Sequence, residues 1–165
     1  MQPRLDPFGT VVGPKLAKYL VSAGKVVIDS TLPAATRELV NIRASQINGC
    51  SGCLDMHTKD AVHAGESSVR LNLVAAWRDA TVFTAAERAA LALAEQGSRL
   101  ADGSGVTDAV WSDAARHFDD EQLMALVSQI ALINTFNRLN VMTRQQGGAY
   151  QPGQFHLRVP EPAVV

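Results

Sequence analysis

Between Pro14 and Arg144 the apolar residues recur at helical spacing, and no useful length of strand-like alternation interrupts them. That pattern restricts the chain to helices packed on helices. A first helix is predicted from Pro14 to Ile28, with Leu16, Leu20 and Val27, and neighbouring Ala17 and Val21, as its apolar side. Thr31 is placed to cap a second, with Pro33 in its first turn where a missing N–H costs little. From Ala34 to Gln46 the stripe is Ala35, Leu39, Ile42 and Gln46, and Asn48-Gly49 ends it. A third helix starts at the cysteines and runs to Ala64, and a fourth opens at Ser67 or Ser68 and reaches Trp77. Thr84 with Glu87 forms a capping box for a fifth, ending near Leu100. Ala101 to Val106 reads as a loop, and Thr107 to Ala115 as a short helix. A second capping box at Asp119 and Gln122, stapled by Phe118 and Leu123, opens a long helix to about Arg144.

The expected architecture is therefore all-α, a single-domain bundle of six or seven helices over residues 15–145. Residues 1–14 form a proline-punctuated N-terminal tail, and residues 146–165 an extended tail whose glycines and prolines deny it helix. Only Phe155 to Val159 hints at a strand. A hydrophobic fraction of 47% in 165 residues supports a real core. With 15 basic and 16 acidic residues, a net charge of -1 speaks against a nucleic-acid binder. No run reaches the length of a membrane span. The first residues lack the charged-then-apolar pattern of a secretory leader, so a reducing, cytoplasmic location is expected.

Chemistry concentrates in Cys50-Ser51-Gly52-Cys53-Leu54-Asp55-Met56-His57. A disulfide across two residues closes too short a loop to restrict the unfolded chain much, so in a reducing compartment such a pair is catalytic or metal-binding. At a helix N-terminus, unpaired N–H groups and the helix dipole lower a thiol's pKa, and the thiolate is the nucleophile. His57 follows Cys53 by one turn on the same face and is placed to exchange its proton. Glu38 lies at the edge of the second helix's stripe, within reach of His57 if the two helices form a hairpin through Asn48-Gly49. The helix-end argument alone favours Cys50 as the leading thiol.

Other candidates read as structural. Arg37, Arg43 and Asp60 look like solvated charges, and Asp55 like a favourable charge in a first helical turn. His63 and His117 look like surface residues, and His156 falls in the tail. Asn134, Asn137 and Asn140 recur every three residues and suggest a polar seam, while Trp77 and Trp111 suggest packing anchors. Neither a phosphate loop nor a nucleophile-elbow sequence is present.

The run from Arg37 to His57 closely resembles the core of the alkylhydroperoxidase D-like proteins, within the carboxymuconolactone decarboxylase family. The likeness continues through Leu73 to Arg78, Phe83-Thr84 with Glu87-Arg88, and Ala131 to Asn134 with Asn137 to Asn140. The resemblance implies a helical fold, assembly into trimers or hexamers, and reduction of hydroperoxides. It implies that Cys53 attacks the peroxide, that Cys50 resolves the sulfenic acid, and that His57 and Glu38 relay protons. The expected electron donor is a dithiol reductant or redox protein, and no cofactor or metal is assigned. One position departs: the best-known members carry a histidine immediately after the first cysteine, where this chain has Ser51. Rival readings are a zinc site built on Cys50, Cys53, His57 and Glu38 or His63, a redox-responsive non-enzymatic oligomer, and a decarboxylase of the same family.

Overall fold

The computed structural model describes residues 2–103 and 105–154. Seven α-helices follow one another there: α1 Val12–Ile28, α2 Ala34–Asn48, α3 Ser51–His63, α4 Ser68–Leu73, α5 Ala85–Ser98, α6 Asp108–Ala115 and α7 Asp120–Thr143. Two 3-10 turns, Val74–Ala76 and Leu100–Asp102, extend α4 and α5. No strand occurs among the described residues, and Phe155 to Val159 and His156 lie outside them. None of these helices is long and apolar enough to cross a membrane.

The bundle is organised around α2, which packs against α3, α5 and α7. Its buried residues, Thr36, Leu39, Val40, Asn41, Ile42, Ala44 and Ser45, go well beyond one narrow stripe, as a central helix requires. One side meets an apolar cluster containing Val27, Leu93, Phe118, Leu126 and Ile130. The other meets Leu71, Val74, Trp77, Phe83 and Leu91. Both capping boxes form: Thr84 and Glu87 bond reciprocally at 2.8 and 3.2 Å, and Asp119 and Gln122 at 2.8 and 3.3 Å. Phe118 and Leu123 are both buried beside the second box, which fixes the entry into α7.

Four local readings change. The residue capping α2 is Pro33, without a side-chain bond, because Thr31 lies two residues too early to reach the first turn. Ala35 is exposed and Thr36 buried, so the inward face of α2 opens on Thr36, while Leu39 and Ile42 are buried as expected. In α1 only Val27 is fully buried; Gly13, Ala17, Leu20 and Gly24 accompany it on the inner face, half-buried, while Leu16 and Val21 point outward. Trp77 is buried as expected, whereas Trp111 is exposed.

The chain after α7 folds back over α3. Arg144 takes left-handed dihedrals (φ 57°, ψ 47°) that end the helix. Asp55 then accepts from the N–H groups of Gly148 (2.6 Å) and Tyr150 (3.0 Å), and Lys59 donates to the carbonyls of the same two residues. The Tyr150 hydroxyl donates to Asp60 at 2.9 Å. Burial, then the Asp60 hydrogen bond and charge, push that phenol up to about 12. Asp55 and Asp60 thus tie down the tail rather than face solvent. Gly147 must be glycine, since a Cβ there would press into the carbonyl oxygen of Ser51.

Candidate active site

The Asn48-Gly49 turn sets the site. Gly49 ends α2 with φ 67° and ψ 31°, a conformation that costs glycine nothing. That reversal places Cys50 as the N-cap of α3, where its sulfur accepts the Cys53 N–H at 3.3 Å. Cys50 and Cys53 are joined as a disulfide. Both are buried, in a small cluster with Ala44 of α2 and Ile133 of α7. The pair therefore sits where the dipole of α3 favours negative charge on sulfur.

One turn along α3, His57 meets α2. Its Nδ1 lies 2.8 Å from Glu38 Oε2. A carboxylate only accepts, so the proton between them belongs on Nδ1, and Nε2 is the nitrogen left to exchange protons. Asn41 Nδ2 lies 3.3 Å from the same Nδ1, but two donors do not bond; its partner is Glu38 Oε2 at 3.4 Å. Gln129 of α7 fixes Asn41 by donating to its carbonyl at 2.6 Å. Burial pushes the Glu38 carboxyl up. The hydrogen bond and charge of His57, with Asn41 and Arg37, outweigh it and leave the group below the usual carboxylate range.

A cleft of about 260 Å³ opens beside the pair, lined by Gly49, Cys50, Ser51, Asn140, Arg144 and Gln145, among others. Cys50 belongs to its wall, and Cys53 does not. Ser51, at the position of the departure, is bonded to the returning tail: its hydroxyl donates to Gln145 O (3.4 Å) and accepts from Gly147 N (3.2 Å).

The four sequence candidates are thus gathered in one region as two joined pairs, Cys50 with Cys53 and Glu38 with His57. Asn41, Gln129 and Asn140 were missed as site residues. Asn41 follows Glu38 by three residues on one helix face, which is a usable signal; Gln129 carries none without the packing of α7 on α2. Arg43 is not a solvated charge: its Nε donates to Glu95 at 2.7 Å and its side chain is only 13% exposed. Arg37 is half-buried beside Glu38. His63 and His117 are exposed, as expected. Among the described residues no group of three or more His, Cys, Asp or Glu side chains is placed to hold a metal ion.

An all-helical bundle with a Cys-x-x-Cys pair at a helix start and a Glu–His pair one turn away defines a thiol–disulfide type of site. The sequence model of the carboxymuconolactone decarboxylase family matches residues 14–96. An uncharacterised Bacillus subtilis protein, YdfG, is 36% identical over 130 residues, covering 79% of this chain and 88% of its own. A solved protein of unknown function from Agrobacterium tumefaciens, a candidate antioxidant defence protein AhpD, is 31% identical. It superposes with a TM-score of 0.83 over 90% of this chain and 100% of that one. The debrominase Bmp8, solved with 2,3,4-tribromopyrrole, shares the fold at 20% identity, with a TM-score of 0.74 over 82% of this chain and 72% of its own. The chain belongs to the carboxymuconolactone decarboxylase family and is alkylhydroperoxidase D-like.

Proposed function

We propose that the protein is a thiol-dependent peroxidase that reduces hydroperoxides through Cys53 and Cys50, with His57 and Glu38 moving the protons. The observation that carries this is the redox pair at the start of α3 with the Glu38–His57 pair one turn behind it. The Cys53 thiolate attacks the terminal peroxide oxygen; the S–O bond forms as the O–O bond breaks, and the departing alkoxide takes a proton from His57. Cys53 is then a sulfenic acid. The Cys50 thiol gives its proton to His57 and attacks the Cys53 sulfur. The S–S bond forms as the S–O bond breaks, and the departing hydroxide takes that proton from His57 and leaves as water. A dithiol donor returns two electrons and two protons by exchange through a mixed disulfide. In sum, one hydroperoxide and one dithiol become one alcohol, one water and one disulfide. Kinship with a candidate AhpD at 31% identity supports the same reading.

The test follows thiols and peroxide together. Reduced protein given an organic hydroperoxide should lose two thiols for each peroxide consumed, and Glu38→Gln should slow this about 100-fold with helicity unchanged. Persistent thiols with one zinc bound per chain would support the metal site instead. One round without dithiol-driven turnover would leave a redox-responsive protein. Equal rates for Glu38→Gln from roughly pH 6 to 9 would assign Glu38 to packing.

The working form is a homo-oligomer, a trimer or hexamer. On α1, Val12, Leu16, Tyr19, Ala23 and Val26 alternate by four and three residues, the spacing of a helix–helix seam. All five are exposed, Val12 and Tyr19 at 72% and Val26 at 73%. An apolar helical face of that length wants a partner, and a second copy of the chain offers the matching face. Light scattering should give a multiple of 17.6 kDa; a concentration-independent monomer would sink the assembly.

A further inference from the structure

Asn134, Asn137 and Asn140 recur along α7, and the first two are structural. Asn48 donates to both at 2.9 Å, Asn137 donates to Ser45 at 3.0 Å, and Asn134 donates to Ser98 at 3.0 Å. Asn140 leaves that seam. Its Nδ2 lies 3.3 Å from Cys53 Sγ, and the residue lines the same cleft as Cys50. An amide N–H is a modest partner for a disulfide sulfur and a strong one for an anion, because hydrogen bonds to charged groups are about twice as strong. The bond therefore strengthens when the pair is reduced and Cys53 ionises.

We propose that Asn140 serves Cys53 directly, its side-chain amide donating to the sulfur and stabilising the thiolate. The role deepens the reading of Cys53 as the attacking thiol and presupposes it. The charged groups around that sulfur leave room for such a donor. On α3, His57 stands one turn away and Asp55 is paired with Lys59 at 2.7 Å; on α2, Glu38 is bound to His57. Just past α7, Arg144 lines the cleft on the Cys50 side. His57 with its carboxylate forms a nearly neutral unit when protonated, well suited to passing protons and poor at holding a neighbouring anion. Asn140 supplies a fixed dipole from the facing helix. It does not titrate, so its help is present at every working pH.

The test titrates Cys53 by its thiolate absorbance in reduced Cys50→Ser protein, with the Cys50→Ser/Cys53→Ser protein as blank. Serine also caps helices, so the start of α3 survives the background change. Asn140→Ala should raise the Cys53 pKa by about one unit, roughly a tenfold loss of thiolate at lower pH. Asn140→Asp should raise it further, because a carboxylate of similar shape then faces the sulfur. A packing role predicts the reverse order of damage, with aspartate milder than alanine and neither moving the titration. An unshifted pKa in either folded variant overturns the proposal, and either variant alone decides the direction. No peroxide enters this readout. Variants that titrate as expected beside a wild-type protein that consumes no hydroperoxide would sink the peroxidase and leave the Asn140–thiolate bond standing.

Discussion

Cys50→Ser protein should complete one rapid round of peroxide reduction and stop, whereas Cys53→Ser protein should complete none. Two features separate the thiols. Cys53 precedes His57 by one turn of α3 and faces the Asn140 amide, so the groups that ionise a thiol gather on its side. Cys50 lines the cleft and caps the helix, which leaves it to the incoming dithiol. With Cys50 gone, nothing resolves the sulfenic acid on Cys53, and it accumulates. A single peroxide pulse with dimedone present, followed by intact-mass analysis, should show the adduct in the Cys50→Ser protein alone. Removing the nucleophile removes the reaction, so the first-round rate in Cys53→Ser should fall to that of the blank. An adduct confined to Cys53→Ser would reverse the order, as the helix-end argument by itself suggests.

The helices were legible because their ends carry local chemistry. Thr84 with Glu87, Asp119 with Gln122, and Gly49 each act within four residues, so their effect survives in any tertiary setting. Errors came where a neighbour decides. Whether Ala35 or Thr36 turns inward depends on how α5 and α7 press on α2, and the two differ by one position on the same helix. In α1 the outer and inner stripes are both apolar, so composition could not say which one the bundle keeps.

The site divides in the same way. Cys50, Cys53 and His57 share one stretch of chain, and Glu38 joins them through a single tight hairpin. Their spacing therefore carries most of the geometry. Gln129 and Asn140 arrive from α7, 88 and 87 residues from the side chains they bond. Nothing local marks them, and Asn140 reads with Asn134 and Asn137 because the sequence shows the repeat and not the sulfur opposite. Arg43 differs for a related reason: an arginine on a short stretch reads as solvated until the carboxylate that buries it is known.

That carboxylate is Glu95, and replacing it should destabilise the bundle strongly. Its Oε1 accepts from Arg43 Nε at 2.7 Å and from Trp77 Nε1 at 2.9 Å, while Arg78 bonds Oε2 at 2.5 Å. The side chain is 9% exposed and Arg43 13%, so water cannot replace it fully. Glu95→Ala strands the Arg43 guanidinium and the indole N–H in the core, where Gln46 still accepts from Arg43. Breaking one partner out of a buried pair costs about 3–5 kcal/mol, and the Gln46 bond argues for the lower end. At about 2–4 °C per kcal/mol for a chain this long, melting should fall by roughly 6–12 °C at fixed protein concentration. Glu95→Gln keeps the acceptor and loses the charge, so its loss should be smaller. Acid supplies a second check. Burial pushes the Glu95 carboxyl up, but Arg78, Trp77 and Arg43 together hold it below the ordinary range. The folded state therefore binds its proton less readily than the unfolded chain. The stabilisation is complete above the ordinary glutamate value, about 4.3, and fades as pH falls through the lower folded one. The gap in melting temperature between wild type and Glu95→Gln should narrow over that window. A gap that stays constant from neutral pH into acid would mean that charge contributes nothing there, and that the loss in Glu95→Ala comes from packing alone.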